Sequence, residues 1–224
     1  SVGIVFTVGL GGLQDARDTE RVTNAERAFD VLAENYRDVL AGTPSRSTQI
    51  RLSGADMRAG DDVEFEVRDG DGNTTASWSV TSIVFAVDDE SIRFVNGAVI
   101  RESRDGAVMI QDPPGFVGAD RALFQDVAFK NGGPAGVGGE RTVQVRTEHT
   151  SNPDNIGSNV YENTTDRELW IVTHNPEPWR TYYGDRGLSC GVTDLAGDDR
   201  DRVECELDGL DRFVVVDQGS ITFS

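Results

Sequence analysis

The sequence predicts an α+β fold, in which one long N-terminal α-helix precedes a mostly antiparallel β-sandwich. Between Asp15 and Gly42 there is no proline and no interior glycine, and Gly42 and Pro44 then provide a helix stop. After Pro44 the apolar residues alternate with polar ones in short runs separated by glycine and aspartate turns. We therefore divide the chain into a helix at 1–42 and a β-rich globular domain at 43–224.

The first half of the predicted helix is apolar and glycine-rich, and no charged residue appears before Asp15. Exposing such a segment to water would cost on the order of 10 kcal/mol, at about 25 cal/mol per Å². It is shorter than the roughly 20 residues that span a bilayer, and it lacks the positive region and cleavage box of a secretory signal. We expect neighbouring helices or a membrane to enclose its apolar side chains, which are Val2, Ile4, Val5, Phe6, Val8, Leu10 and Leu13.

The second half of the helix keeps a single apolar seam with the spacing of a heptad pattern. Its members are Val22, Ala25, Phe29, Leu32, Tyr36 and Val39. A seam on one face is expected to pack onto the chain's own β domain or onto one neighbouring helix, and we count Val22, Phe29, Leu32 and Tyr36 as residues of the helix that carries assembly. Forty helical residues make a rod on the order of 60 Å long, which is too long for a small globular domain.

The β region begins with an alternating segment at 48–52. Val63–Val67 alternates strictly and is followed by a turn at 69–73, so a hairpin with 76–87 is predicted. Further strands are predicted at 91–95, 98–102, 107–111, 122–129, 142–147, 169–174, 202–206, 213–216 and 221–223. Residues 176–183 are predicted to form a short helix anchored by Trp179.

The net charge of −18 arises from 39 acidic residues against 21 basic ones, and Lys130 is the only lysine. An acidic surface that retains arginine resembles the surfaces of proteins from extreme halophiles, since molar salt screens the repulsion between dense carboxylates. Binding to a basic partner or to cations is the alternative explanation. Nucleic acid is disfavoured as a partner because no basic patch is present.

The sequence contains no recognisable catalytic, cofactor-binding or metal site. Neither histidine, His149 or His174, accompanies a nucleophile motif. The glycine-rich stretch at 132–139 lacks the lysine and Ser/Thr of a phosphate-binding loop. The carboxylates between Asp194 and Asp211 favour a solvated surface over a cation site.

A calcium loop is the one metal motif that the sequence approaches. Asp69, Asp71 and Asn73 have the spacing that begins such a loop, but Thr74 and Val80 stand where glycine and glutamate are required. A hydrated hairpin turn is therefore the favoured interpretation.

Two covalent features are predicted. Cys190 and Cys205 lie in strand-like sequence and are predicted to form a hairpin disulfide, with two free buried thiols as the alternative. Asn73 and Asn163 each begin an N-glycosylation sequon in a polar, turn-like segment, and both are predicted to be exposed acceptors if the protein is outside the cell.

The order of these elements resembles that of the archaeal type IV pilin and archaellin superfamily, and most closely that of haloarchaeal pilin-like surface proteins. The resemblance rests on an apolar, glycine-bearing helix that becomes amphipathic and enters an all-β domain, and on the runs at 12–18, 24–33 and 96–101. It implies a secreted homo-oligomeric subunit, processed by a prepilin peptidase and held in the membrane before assembly. Helices would form the filament core, with β domains outside.

We therefore expect a structural subunit of an extracellular, type IV pilus-like filament from a halophilic archaeon, with no enzymatic activity and no cofactor. The alternative is a monomeric, membrane-anchored cell-surface binding protein that uses the same helix as an anchor. A secreted hydrolase is disfavoured by the lack of a nucleophile constellation.

Overall fold

The computed structural model describes residues 3–118, 121–129, 136–149, 158–162, 166–207 and 212–223, and of these it defines only the backbone at 3–18, 125–129, 158–162, 212–220 and 223. The described elements are α1 (Gly3–Leu40), β1 (Ser45–Arg51), β2 (Asp56–Arg68), β3 (Thr74–Val87), β4 (Glu90–Val95), β5 (Ala98–Ser103), β6 (Gly106–Gln111), β7 (Phe116–Val117), β8 (Arg121–Phe129), β9 (Gly136–Gly138), β10 (Thr142–His149), β11 (Ser158–Glu162), β12 (Glu168–Thr173), α2 (Pro176–Gly184), β13 (Cys190–Asp194), β14 (Asp201–Glu206) and β15 (Arg212–Phe223).

The strands form two sheets. Sheet A has six strands in the order β1-β10-β15-β8-β7, with β11 also paired to β15. Sheet B has nine strands in the order β13-β14-β12-β2-β3-β4-β5-β6, with β9 also paired to β2. Every described pair is antiparallel except β8 with β15, which run parallel. The α+β class and the mostly antiparallel pairing that the sequence predicts are therefore confirmed.

Helix α1 runs for 38 residues and ends in a hydrogen-bonded glycine cap. Gly42 adopts a φ of 106°, which a glycine reaches without steric cost. Its N–H donates to the Val39 carbonyl at 3.0 Å, and the Thr43 N–H donates to the Asp38 carbonyl at 3.0 Å. These two bonds are those of a Schellman motif, so Gly42 ends the helix as predicted.

The apolar seam of α1 lies in the core between the two sheets. Val22, Phe29, Leu32 and Tyr36 belong to one buried cluster with residues from β1, β10 and β15 of sheet A and from β2 to β5 of sheet B. The rings of Phe29 and Phe85 meet edge-to-face at 6.4 Å, and those of Tyr36 and Phe94 at 6.1 Å. The second half of α1 is therefore a structural part of the β domain.

Sheet B is curled, and helix α2 contacts both of its outermost strands, β13 and β6. Trp179 of α2 is fully buried, and its ring meets that of Phe65 edge-to-face at 5.4 Å. Trp179 thus anchors α2 as the sequence predicts.

Most predicted strands are present, but some polar segments also pair. The first part of β2, at 56–62, and the strand β11 were not predicted, since neither shows the apolar alternation that identifies a half-buried strand. Strand β2 also contains an irregularity between Ala59 and Asp62 that shifts its register with β3.

The helix therefore supplies core side chains whose loss should destabilise the whole domain. Leu32→Ala removes a side chain with no exposed surface and is expected to lower the free energy of unfolding by about 2–5 kcal/mol. Its neighbour Val31, which is 47% exposed, provides the matched control, and Val31→Ala should change that free energy by less than about 0.5 kcal/mol. Urea unfolding at fixed molar salt measures both, and equal midpoints would contradict this packing.

Candidate functional site

The structure separates the predicted assembly residues into two groups. Ile4, Val5, Phe6, Val8, Leu10 and Leu13 lie on the helical backbone of α1 in the part whose side chains are not described, and Val2 lies outside the described residues. Val22, Phe29, Leu32 and Tyr36 are buried in the chain's own core. They therefore dock onto the chain's own β domain, which is one of the two packing alternatives, and the part they play in assembly stays a prediction.

An ion-pair network ties the middle of α1 to sheet B. The Arg101 guanidinium donates to Glu26 of α1 at 2.9 Å and to Glu90 of β4 at 2.7 Å. These contacts raise the pKa of Arg101, chiefly through the hydrogen bond to Glu90. They also bring together two of the runs on which the family resemblance rests, since Glu26 lies within 24–33 and Arg101 ends 96–101.

Asn96 and Gly97 form the tight turn between β4 and β5, with φ angles of 50° and 80°. Positive φ at both positions is typical of a two-residue hairpin, and Asn-Gly is its favoured sequence. A Cβ on Gly97 would lie 2.2 Å from Pro114 Cδ and 2.9 Å from Tyr36 Cε1. The turn is therefore packed tightly against both α1 and the segment at 112–117.

An open cleft of about 570 Å³ lies beside that segment. It lies between the C-terminal end of α1, the segment at 112–117 and helix α2. Its lining residues are Arg37, Leu40, Ala41, Asp112, Pro113, Pro114, Gly115, Phe116, Val117, Tyr182 and Arg186. This volume is within the usual range for small-molecule sites.

The charged groups of the cleft are held in place by one another. Arg186 donates to the Asp112 carboxylate at 2.5 Å and to the Tyr182 carbonyl at 3.0 Å, and its guanidinium lies 3.7 Å from the centre of the Tyr182 ring. Arg37 donates to the Asp112 carbonyl at 2.8 Å. Burial raises the pKa of Tyr182, so its hydroxyl stays protonated at neutral pH. The polar wall of the cleft is therefore preorganised.

A small recess lies directly behind the cleft. Both are lined by Pro113, Pro114, Phe116, Val117 and Tyr182, and the recess also reaches Trp78 and Asn96. Trp78 is 9% exposed and Asn96 is 7% exposed. Within the described residues, neither Trp78 Nε1 nor Asn96 Oδ1 has a hydrogen-bond partner. A buried donor and a buried acceptor thus remain to be satisfied at one place.

Sequence reasoning did not find this cleft. Arg37, Asp112 and Arg186 are each about 75 positions from the next in sequence, as the separations of 75 and 74 show. The run Asp112-Pro113-Pro114-Gly115 was the available signal, because two prolines after a strand predict a rigid exposed loop.

The segment at 69–73 is a hairpin turn, as the sequence favours. The Asp69 carboxylate accepts hydrogen bonds from the backbone N–H groups of Asn73 at 2.8 Å and Asp71 at 3.2 Å. The bond from Asn73 is the main reason that the pKa of Asp69 is lowered. Asn73 is exposed here, whereas Asn163 lies outside the described residues.

Cys190 and Cys205 are disulfide-bonded, which confirms that prediction. They face each other across β13 and β14, so the bond fastens the outermost strand of sheet B beside α2. Closing a loop of this size stabilises a fold by about 3 kcal/mol in the chain-entropy model.

The acidic segment and His174 make polar contacts with charged side chains on the surface. Within the acidic segment, Asp198 pairs with Arg200 at 2.9 Å, and Arg200 also reaches Glu64 of β2 at 2.7 Å. The hydrogen bond from Arg200 lowers the pKa of Asp198 to about 2. His174 lies 3.5 Å from Asp61 and 3.8 Å from Asp199. In the described part of the chain, no three His, Cys, Asp or Glu residues are arranged to hold a metal ion.

Among the described residues, neither helix combines the length and apolar character needed to cross a bilayer.

The chain belongs to a family of unknown function, DUF7289, whose model matches residues 1–221. No curated protein matches the chain, and no solved structure matches it.

Proposed function

We propose that the chain is a pilin-like structural subunit of an extracellular, type IV pilus-like filament, assembled through the first half of α1. The observation that supports the proposal is the difference between the two halves of this helix. At 1.5 Å per residue its 38 residues extend for about 57 Å, compared with roughly 40 Å for the diameter of a globular domain of this size. The half with the buried seam belongs to the domain, and the other half is apolar by sequence.

A single partner helix would not shield the apolar half of α1 from water on all sides. Its residues present no polar side in sequence, so the segment is best enclosed all round, as in a bundle of identical helices. Gly3, Gly9, Gly11 and Gly12 would allow such helices to approach closely. In this proposal the segment resides in a membrane before assembly and in the filament core afterwards.

The wider architecture in this proposal is a β-sandwich outside a helical core. The ring of Trp78 in sheet B lies 6.3 Å from that of Phe124 in sheet A, which supports face-to-face packing of the sheets. Asn73 and Asn163 would carry glycans on the outer surface, and an intact mass equal to that of the bare chain would argue against this.

The second candidate is a monomeric, membrane-anchored surface protein that binds a ligand. The preorganised cleft at Asp112, Tyr182 and Arg186 favours it, because such a cleft has no evident role in a purely structural subunit. Filament formation distinguishes the two candidates, and neither involves catalysis.

The filament proposal predicts that the first half of α1, and not the β domain, assembles the polymer. Leu10→Asp should abolish filaments while leaving the melting temperature of the domain unchanged, since an unpaired charge buried in a bundle costs several kcal/mol per subunit. Val192→Asp is the matched control, because Val192 is 39% exposed on β13, away from α1, and this variant should still assemble. Negative-stain microscopy and light scattering provide the measurements.

A truncated chain completes this test. A cut at Thr43 would remove the buried seam, so the appropriate chain begins at Thr19 and keeps every described seam residue. This chain should fold as a monomer. Filaments formed by it would contradict the proposal, because the β domains would then hold the polymer together.

We also propose that the protein is adapted to molar salt. Asp30 and Glu34 lie at i and i+4 on α1, where like charges cost a few tenths of a kcal/mol per pair when unscreened, whereas Asp38 in the same row pairs with Arg46 at 3.0 Å. The melting temperature of the Thr19 chain should therefore fall when NaCl is reduced from about 3 M to about 0.1 M. An unchanged melting temperature would contradict the adaptation to salt, without bearing on the filament.

A further inference from the structure

We propose that the cleft and the recess behind it form a binding site for a saccharide, with one hydroxyl group seated between Trp78 and Asn96. The site does not depend on assembly, because its lining residues all belong to the folded domain and none lies in the apolar first half of α1.

The recess selects the chemical group that enters it. Trp78 Nε1 only donates a hydrogen bond and Asn96 Oδ1 only accepts one, so a single group that serves both must accept and donate. A hydroxyl group does both, as does a water molecule, and a ligand hydroxyl would take the place of that water. A carboxylate or phosphate has only acceptors and would leave Asn96 Oδ1 unpaired, whereas an ammonium group has only donors and would leave Trp78 Nε1 unpaired. An apolar group would leave both atoms unsatisfied in a buried place.

The size of the recess supports the same choice. Its volume is about 10 Å³, which is roughly the space that one water molecule needs. A hydroxyl has that size, but a peptide amide does not. The recess therefore admits one oxygen of a larger ligand whose body remains in the outer cleft of about 570 Å³.

The outer cleft provides the two kinds of surface that a sugar ring presents. Phe116, which is 46% exposed, and the half-buried ring of Pro114 supply apolar faces for the C–H face of a pyranose. Arg37, Asp112 and Arg186 supply donors and acceptors for its remaining hydroxyls. Asp112 and Arg186 pair with each other, so Arg37 supplies the one net charge of this wall.

Close packing on both sides holds the segment at 112–117, which lines the cleft, in one conformation. A Cβ on Gly115 would lie 2.3 Å from the Leu123 carbonyl oxygen, and Gly97 approaches Pro114 closely on the other side. With Asp112 fixed by the two arginines, little ordering is required on binding, which lowers its entropic cost.

The test uses the full chain in molar NaCl with maltose, lactose and diacetylchitobiose as probes, each at about 10 mM. Saturation-transfer NMR should show contact with at least one of them. Phe116→Ala should weaken that binding about tenfold, because an exposed stacking surface is lost, and Trp78→Phe should weaken it by a similar factor through loss of the N–H donor. Val108→Ala is the matched control; Val108 is 55% exposed outside the cleft lining, and the variant should bind normally.

Three results would overturn the saccharide site, and none of them bears on the filament proposal. No transfer to any of the three sugars, or equal transfer in the Phe116 and Val108 variants, would overturn the site. Preferential binding of a proline-rich or acidic peptide, displaced by none of the sugars, would also overturn it. The Phe116 variant should form filaments like the parent chain, so loss of sugar binding does not report on assembly.

Discussion

Burial of the α1 seam between the two sheets is the interaction on which the rest of the structure depends. Phe29, Leu32 and Tyr36 have no exposed surface, and burial of each large apolar side chain contributes about 1.5–3 kcal/mol. Because the seam touches strands of both sheets, it also fixes the helix in rotation and height relative to them. The pairing of Glu26 with Arg101 and the position of Arg37 in the cleft both follow from that placement.

Because of this burial, the two halves of α1 have different roles. The seam is buried in the chain's own domain. A partner can therefore contact only the exposed side chains of the second half of α1 and the apolar first half. Arg37 lies about 50 Å from Gly3 along the helix axis, at 1.5 Å per residue. If the apolar ends bundle in a core, the cleft beside Arg37 would lie far from that core and open toward the surroundings. Assembly and ligand binding would then be compatible in one subunit.

The sequence predicted those parts of the fold that local patterns encode. The heptad spacing of the seam, the stop at Gly42 and the turn at Asp69 depend on neighbouring residues, and all three were correct. The cleft was not predictable, since Arg37, Asp112 and Arg186 meet only through the tertiary fold. The same holds for the seam's partner, because a heptad pattern is equally satisfied by a neighbouring helix or by a sheet. In the structure, the seam packs against strands of the two sheets.

Amide hydrogen exchange, compared between the unassembled chain and its filaments, tests the division of α1 most directly. The account predicts that amides at 29–39 exchange only by global unfolding in both states, because the seam is core. Amides at 5–13 should exchange faster in the detergent-solubilised monomer, where the segment has no protein neighbours, than in the filament, where a bundle encloses it. Rapid exchange at 29–39 in the monomer, or unchanged exchange at 5–13 on assembly, would contradict it.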